Sequence, residues 1–264
     1  MIARAPHQDS DEAWHDAFVA RRRGARRLTL ESARGTIIAA YSDYRAGDLA
    51  TLPPDSASLP LAEALRFCYE EDRSSVGARL FSDLVNVEAR CAYCGIGDAE
   101  QLDHYLPKGN HPTYAICASN LVPACGTCNG SAHKGTRVLD AAGRRLILHP
   151  YRDAIPDALY AVVAVRDGAI VPSYGVRPGA EHMQRHFETL ELATRYLRKA
   201  SQQIGRTRRI WKQASRTMGS EAFRADLLRD ARALAARNGP NHWEAVLFDG
   251  LARCEDVCHG RFPD

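Results

Sequence analysis

Two pairs of cysteines, each with two residues between its members, carry the strongest chemical signal in the sequence. They are Cys91-Ala-Tyr-Cys94 and Cys125-Gly-Thr-Cys128, and thirty residues lie between the pairs. Two such pairs can complete the closed tetrahedral set of thiolates typical of structural zinc. A redox pair or a rubredoxin-like iron site are the alternatives, but no thioredoxin-like strand–helix–strand pattern surrounds either pair. The spacing therefore predicts a structural Zn²⁺ site on Cys91, Cys94, Cys125 and Cys128.

A second possible metal cluster lies close to the C-terminus, at the end of a helical segment. It consists of Cys254, Cys258 and His259. Packing or chance explains such a group as readily as a metal does, so both interpretations stay open. The remaining cysteines, Cys68 and Cys117, are expected to be buried small side chains.

The residues between and just after the cysteine pairs could perform metal-assisted hydrolysis. This reaction needs an activated water and stabilisation of the negative charge that develops on the reacting group. His104 suits a general base because histidine titrates near neutrality. Asp103 and Asn129 offer hard oxygen ligands for Mg²⁺ or Mn²⁺. Because neighbouring strand residues face opposite sides, Asp103 and His104 can share one site only if the strand bends or ends there.

Segment 91–135, about a fifth of the chain, resembles the HNH endonucleases, also called ββα-metal nucleases. The resemblance rests on three boxes in that family's order and approximate spacing. They are Asp103-His104-Tyr-Leu-Pro107-Lys108, Asn120-Leu-Val-Pro-Ala-Cys125 and Cys125-Gly-Thr-Cys128-Asn129. The resemblance implies a β-hairpin followed by a helix, with a divalent ion held between them. It also implies hydrolysis of phosphodiester bonds, with the ion stabilising charge on the phosphate and the leaving oxygen.

Mapped onto this chain, the resemblance places the first strand up to Asp103-His104, the second at about 116–123 and the helix start near Cys125. It implies that Asn120 fixes the loop and positions the catalytic histidine. Asn129 stands where the family often has a second metal-binding histidine, which leaves the metal preference open.

Each of these polar residues alone has an ordinary explanation. An Asp-His pair is usually exposed surface, Asn120 could be a turn residue and Asn129 a helix cap. Their joint placement inside the cysteine frame favours the catalytic assignment of His104, Asp103, Asn129 and Asn120.

Nucleic acid is the expected partner because of one long basic segment. Residues 192–220 contain no acidic side chain, and on a helix five of their basic residues share one face. A solvated helix face is the alternative, and a second basic run, 21–27, is more simply explained in that way. The five residues are Arg195, Lys199, Arg206, Arg209 and Arg216. Lys108 and Lys134 are further candidates for phosphate contacts, and double-stranded DNA is the expected ligand.

The elements that must position these residues indicate an α+β fold. A central ββα-metal HNH motif with its Cys₄ zinc site is flanked by N-terminal helices and by a C-terminal β-hairpin plus helical section. Helices are predicted over 11–23, 29–45, Leu61–Tyr69, Gly77–Val87, from about 180, and over 220–237 and 240–255. A loop is predicted over 48–60, and strands within 145–174. Arg166-Asp167-Gly168 is typical of a hairpin turn.

These elements suggest four sections along the chain. Residues 1–88 form an N-terminal helical section and 89–140 the nuclease core with its zinc site. Residues 141–178 form a β-hairpin extension and 179–264 a helical section with the basic helix. The core section holds five of the eight cysteines and shows weak periodicity, as expected of a segment that folds around a metal.

Composition narrows the class of protein. The formal net charge is only +3, so the distribution of charge matters more than its sum. No apolar run approaches the ~18 residues that span a bilayer, and the polar N-terminus does not resemble a secretory signal. A cytoplasmic DNA endonuclease is therefore expected, and by analogy one of a bacterial anti-phage system with an ATPase partner. A zinc-stabilised nucleic-acid-binding module without catalysis and an RNA-directed nuclease are the alternatives.

Overall fold

The structure, a computed structural model, describes residues 10–52, 55–71, 76–87 and 90–263. Pro53 and Pro54 of the predicted loop and the predicted section boundary at residue 88 lie outside the described residues. The described part contains helices and two small antiparallel sheets, which confirms the α+β class.

The chain divides into two compact units. Among the described residues, the first unit takes in 10–93 and 97–153, and the second takes in 94–96 and 154–263. None of the described helices is both long enough and apolar enough to cross a membrane.

Four helices open the first unit, close to their predicted positions. Ser10 caps the first of them by accepting a hydrogen bond from Ala13 N at 3.1 Å. The second buries Leu30, Ile37, Tyr41 and Tyr44, whose spacing places them on one face. The four are α1 (Asp11–Ala20), α2 (Gly24–Ala46), α3 (Leu59–Glu71) and α4 (Val76–Val87).

A short hairpin and a one-turn helix follow in the same unit. Strand β1 (Gln101–His104) pairs antiparallel with β2 (Leu121–Ala124), with His104 opposite Leu121. Helix α5 (Gly126–Asn129) then begins directly after its N-cap Cys125, as predicted. The connection between the strands contains two 3₁₀ turns, Pro112–Tyr114 and Ala118–Asn120.

Two predicted strand segments are wrong. The second strand was expected over about 116–123, but it begins only at Leu121, because the chain before it forms the 3₁₀ turn that ends at Asn120. The apolar run Leu146-Ile147-Leu148 is irregular backbone rather than a strand. Ile147 and Leu148 are nevertheless buried, and the Ile147 carbonyl accepts a hydrogen bond from Tyr105 Oη at 2.6 Å.

The second unit contains the predicted hairpin and a set of helices. Strands β3 (Leu159–Arg166) and β4 (Ala169–Val176) pair antiparallel. Both turn residues between them, Asp167 and Gly168, have positive φ angles of 49° and 76°, as a type I′ turn requires. The helices are α6 (Glu181–Thr189), α7 (Leu192–Met218), α8 (Ser220–Asn238), α9 (Trp243–Arg253) and α10 (Glu255–Cys258).

Candidate active site and metal centre

The four cysteines predicted to bind zinc come together. Their Sγ atoms all lie within 4.8 Å of one another, and all four residues are buried. A tetrahedral zinc with bonds of about 2.3 Å to sulfur holds its sulfurs about 3.8 Å apart, a separation compatible with this limit. Among the described residues, this is the one group of histidine, cysteine and acidic side chains whose ligand atoms converge in this way. The donor set therefore fits a structural zinc ion.

The loop 91–97, which contains the first two cysteines, closely approaches the second pair. Cys91 N donates to Gly97 O at 2.7 Å, which closes the loop. A Cβ atom on Gly97 would lie 2.8 Å from Cys125 Cβ, so a larger residue would push the two cysteine pairs apart. Cys128 N donates to Cys125 Sγ at 3.5 Å, a contact that stabilises charge on the sulfur.

The second possible metal cluster is explained by packing. Cys258 is buried, and its thiol donates to the carbonyl oxygen of Ala252 at 3.4 Å. His259 is exposed, and its Nδ1 lies 2.8 Å from Glu255 O. The three side chains of this cluster therefore do not converge on a common point.

His104 is held so that one particular ring nitrogen can act as a base. Its Nε2 lies 2.9 Å from the carbonyl oxygen of Ala115. A carbonyl only accepts, so Nε2 carries the proton and the neutral ring has its lone pair on Nδ1. Burial lowers the pKa of His104 to about 4, and the positive charges of Lys108 and Lys134 act in the same direction. The imidazole is therefore neutral at physiological pH, with an unprotonated Nδ1.

Asn120 joins the two ends of the loop formed by residues 106–114, which leads to Ala115, the partner of His104. It is fully buried. Its Oδ1 accepts from Leu106 N at 2.8 Å, and its Nδ2 donates to Leu106 O and to Tyr114 O, both at 3.1 Å. Tyr114 directly precedes Ala115, the partner of His104. The amide of Asn120 thus fixes the backbone that orients the histidine.

Asp103 is placed differently from the expectation that it binds a divalent ion. It is 3% exposed, and its carboxylate accepts from Tyr93 Oη at 2.6 Å and lies 2.9 Å from Lys134 Nζ. Lys134 is fully buried and also donates to the carbonyl oxygen of His104 at 2.9 Å. Since Asp103 and His104 lie on opposite faces of β1, this carboxylate serves as the counter-ion of Lys134. The predicted ligand role does not fit this arrangement.

Lys134 is also placed differently from the expectation that it contacts phosphate. Its ammonium has no exposed surface and is already bound by a carboxylate and two carbonyl oxygens, those of His104 and Gly135. A buried ammonium in such a cage is held as part of the fold and cannot reach a phosphate in solvent.

Asn129 is available as a ligand where Asp103 is not. Its side chain is half-buried, and its Nδ2 donates to Gln101 Oε1 at 2.7 Å. That contact orients the amide and leaves Oδ1 for a cation. Asn129, Gln101, Leu102 and Tyr69 lie in the wall of a cavity of about 550 Å³.

The aromatic ring of Tyr69 lies between this cavity and His104. It contacts the His104 ring at a centroid distance of 4.3 Å. Lys108 Nζ lies 5.0 Å from the centre of the same Tyr69 ring and 2.7 Å from Glu70 Oε1. Because Lys108 is partly exposed, an incoming phosphate could replace Glu70 as its partner.

Helix α7 presents most of the predicted basic stripe to solvent. Its buried face is formed by Leu192, Tyr196, Ala200, Ile204, Trp211 and Ser215. The opposite face carries Lys199, Arg206, Arg209 and Arg216, all exposed. In the part of the chain that the structure describes, none of these four forms an ion pair with an acidic side chain.

Arg195 departs from the predicted stripe. It is half-buried, and its guanidinium donates to Leu190 O at 3.1 Å and to Cys94 Sγ at 3.3 Å. The adjacent Tyr196 Oη donates to Cys94 O at 2.9 Å. Arg195 therefore supports a cysteine of the four-cysteine cluster and is not free for phosphate.

Three tyrosines of the site were not identified from the sequence. Tyr93 lies between Cys91 and Cys94, a position that could have singled it out. Tyr69 and Tyr44 gave no signal, because their partners are distant in sequence: Tyr44 Oη donates to Asn120 Oδ1 at 3.0 Å, across 76 residues.

Comparisons with known proteins identify a phage protein as a relative. No family model matches the chain, and no solved structure matches it. The chain is similar to Protein ea31 of Escherichia phage lambda, with 27% identity over 205 residues that cover 69% of each chain. The name of that protein states no activity, so this similarity alone assigns no function to the chain.

Proposed function

We propose that this chain is a nuclease of the HNH type that hydrolyses phosphodiester bonds in DNA, with His104 as its general base. The observation that carries the proposal is the contact from His104 Nε2 to Ala115 O, because it leaves a neutral Nδ1 as proton acceptor. The loop fixed by Asn120 and the strand–strand–helix order of β1, β2 and α5 support the same assignment.

In the proposed reaction, Nδ1 of His104 takes a proton from water as the water oxygen forms its bond to phosphorus. The bond between phosphorus and the leaving 3′ oxygen breaks, and that oxygen takes up a proton from solvent. Lys108 is placed to neutralise phosphate charge, since its exposed partner Glu70 can be displaced. Asn120 acts through the loop and does not touch the reacting atoms.

The proposal includes a divalent ion, but with only one of its two predicted protein ligands. Mg²⁺ or Mn²⁺, when bound, would stabilise negative charge on the phosphate and on the leaving oxygen. Of the two predicted ligands, Asn129 fits through its Oδ1, whereas Asp103 is occupied by Lys134 and Tyr93. The zinc ion is proposed as structural, on Cys91, Cys94, Cys125 and Cys128.

DNA is the proposed substrate because of the charge on α7. This helix carries eight lysines and arginines and no acidic residue. Since the whole chain has a net charge of +3 and α7 contributes +8, the rest of the chain is net acidic, at −5. Concentration of positive charge on one exposed helix face favours contact with a nucleic-acid backbone.

A zinc-stabilised binding module that does not cut is the second candidate. The pairing of Asp103 with Lys134 favours it, because that pair removes an expected metal ligand. Both candidates bind nucleic acid through the same basic face, so only a cleavage assay separates them.

The test is incubation of supercoiled plasmid DNA and of single-stranded RNA with wild-type protein and His104→Ala, each with Mg²⁺, Mn²⁺ or EDTA. The proposal predicts nicked or linear plasmid with wild type and a divalent ion, and intact plasmid with His104→Ala. Because EDTA can also remove zinc, zinc content is measured afterwards and Mg²⁺ is added back. Cleavage of RNA alone would indicate an RNA-directed nuclease. Zinc-loaded protein that retains DNA without cleaving either substrate would indicate the binding module.

A further inference from the structure

We propose that Tyr44 and His149, which lie outside the HNH-like segment, are positioning residues that hold the loop facing His104 through Asn120. They are 105 residues apart in sequence and meet at the buried end of helix α2, where Tyr44 Oη lies 2.9 Å from His149 Nε2. This inference rests on the proposed function for its catalytic consequence. The hydrogen-bond arrangement itself can be tested separately.

The direction of each hydrogen bond follows from its donors and acceptors. His149 Nδ1 accepts from the backbone N–H of Tyr151 at 3.2 Å, so in the neutral ring the proton is on Nε2. Nε2–H then donates to Tyr44 Oη, which leaves the hydroxyl proton of Tyr44 for Asn120 Oδ1 at 3.0 Å. We call this arrangement the His149–Tyr44–Asn120 chain.

The His149–Tyr44–Asn120 chain is isolated from solvent. His149, Tyr44 and Asn120 are each fully buried. Burial lowers the pKa of His149 to about 3, so its ring stays neutral. The N–H of Tyr151, which donates to Nδ1, places the ring proton on Nε2. A buried hydrogen bond whose partner is removed leaves an unsatisfied polar group, and that cost holds each member of the chain in place.

The His149–Tyr44–Asn120 chain ends at the loop formed by residues 106–114. With its Oδ1 held by both Tyr44 and Leu106 N, the amide of Asn120 can turn only one way, and its Nδ2 then points at Leu106 O and Tyr114 O. The next carbonyl after Tyr114 is that of Ala115, which holds His104. Loss of the Tyr44 hydroxyl would therefore loosen the amide and, through the loop, the ring of His104.

The experiment compares Tyr44→Phe with Tyr41→Phe. Tyr41 is a matched control because it is fully buried one turn earlier on the same helix. Its hydroxyl lies 3.4 Å from His15 Nδ1 and makes no hydrogen bond to the loop. Zinc content and the urea unfolding midpoint establish that each variant is folded.

In a plasmid cleavage assay, Tyr44→Phe is expected to lower kcat about tenfold with KM unchanged, which corresponds to the loss of one buried hydrogen bond. Tyr41→Phe is expected to stay within twofold of wild type. His149→Gln, which can still donate to Tyr44 Oη, should retain activity that His149→Leu loses. Equal kcat for wild type and folded Tyr44→Phe would overturn the proposal.

Nitrogen-15 NMR provides a readout that does not depend on activity. His149 should show its proton on Nε2, and Tyr44→Phe should shift the side-chain amide signals of Asn120 and the ring nitrogens of His104. Tyr41→Phe should leave these signals in place. A proton on Nδ1 of His149, or unchanged Asn120 and His104 signals in Tyr44→Phe, would overturn the inference. If the wild type cleaves nothing, the nuclease proposal fails and the NMR result alone decides the positioning role.

Discussion

His104 Nε2 lies 2.9 Å from Ala115 O, and this one contact determines which nitrogen of the ring is free. The carbonyl requires a proton on Nε2, so Nδ1 is the basic nitrogen. Burial keeps the pKa of the ring at about 4, well below that of an exposed imidazole. The histidine is therefore a neutral, oriented base over the whole physiological pH range.

The pH dependence of cleavage follows directly. Since the base is already deprotonated above about pH 4, the single-turnover rate should show no inflection from His104 between pH 5.5 and 8. An unshifted histidine, with a pKa of about 6.5, would reduce the rate about tenfold for each pH unit well below that value. A single-turnover rate that falls about tenfold per pH unit below an inflection near pH 6.5 would contradict the assigned state of the ring.

Stability should also fall as the solution is acidified. His15, His104 and His149 have pKa values lowered by burial to about 4, 4 and 3. The unfolded chain therefore binds more protons than the folded chain below about pH 6.5, so the free energy of unfolding is highest above that pH and declines as the pH falls towards 4.

Urea unfolding midpoints at pH 5 and pH 7.5 measure this decline. Zinc release at low pH has the same sign, so the histidine contribution is isolated by comparison with His149→Gln. That variant should lose less stability between the two pH values than the wild type does. Identical pH dependence in the two proteins would argue against a neutral buried His149.

The ion pair between Asp103 and Lys134 should behave as a structural unit. Lys134→Met leaves a buried carboxylate without its counter-ion, and Asp103→Asn leaves a buried ammonium, so each alone should cost about 3–5 kcal/mol of unfolding free energy. The double variant should cost clearly less than the sum of the two. Urea unfolding of the four proteins measures this coupling, and additive losses would show that the pair is not a unit.

Zinc should be bound at one ion per chain and be required for the fold around the four cysteines. Cys125→Ser removes one of four ligands and should lose the ion together with cooperative unfolding. Cys258→Ala removes a buried thiol outside the cluster and should retain one zinc. Elemental analysis of the purified proteins gives the ratio. Loss of zinc in Cys258→Ala, or a ratio of two, would restore the C-terminal cluster as a metal site.

The exposed face of α7 should determine DNA affinity. Replacement of Lys199, Arg206, Arg209 and Arg216 by Gln should weaken binding at low salt and reduce the slope of log affinity against log salt by up to about 4, since each lost phosphate contact contributes about 0.9. Fluorescence anisotropy with a duplex at several salt concentrations measures both quantities.

The matched control for α7 removes four exposed arginines that already have acidic partners. Arg34, Arg144, Arg229 and Arg253 pair with Asp16, Asp140, Asp226 and Asp249, respectively. Their replacement by Gln changes the net charge equally and should leave the salt slope near that of the wild type. Equal effects of the two sets would mean that overall charge, rather than α7, governs binding.

The local features of this protein could be predicted from its sequence, whereas its long-range contacts could not. The paired cysteines, the turn at Asp167-Gly168 and the periodicity of α7 are properties of short segments, and each gave the correct element or cluster. The short β2 differs from its prediction because the preceding 3₁₀ turn, not strand pairing, satisfies the backbone before Leu121.

In the candidate site, too, local features could be predicted and long-range contacts could not. His104 and Asn120 lie where the resemblance suggested, on a strand end and beside the loop. The roles of Asp103 and Lys134 depend on a contact across 31 residues that no spacing rule contains. Tyr44 and His149 depend on still longer separations. Burial determined the partners of these side chains, because a buried charge or hydroxyl requires a partner wherever the fold can supply one.

The most direct measurement of the central claim is the single-turnover cleavage rate of one double-stranded DNA substrate by His104→Ala and by His133→Ala, both zinc-loaded. His133 lies in the same segment but belongs to no contact of the proposed site. If His104 is the general base, His104→Ala should cleave at least a hundredfold more slowly than the wild type, and His133→Ala at nearly the wild-type rate. Cleavage by His104→Ala at the wild-type rate would contradict the account.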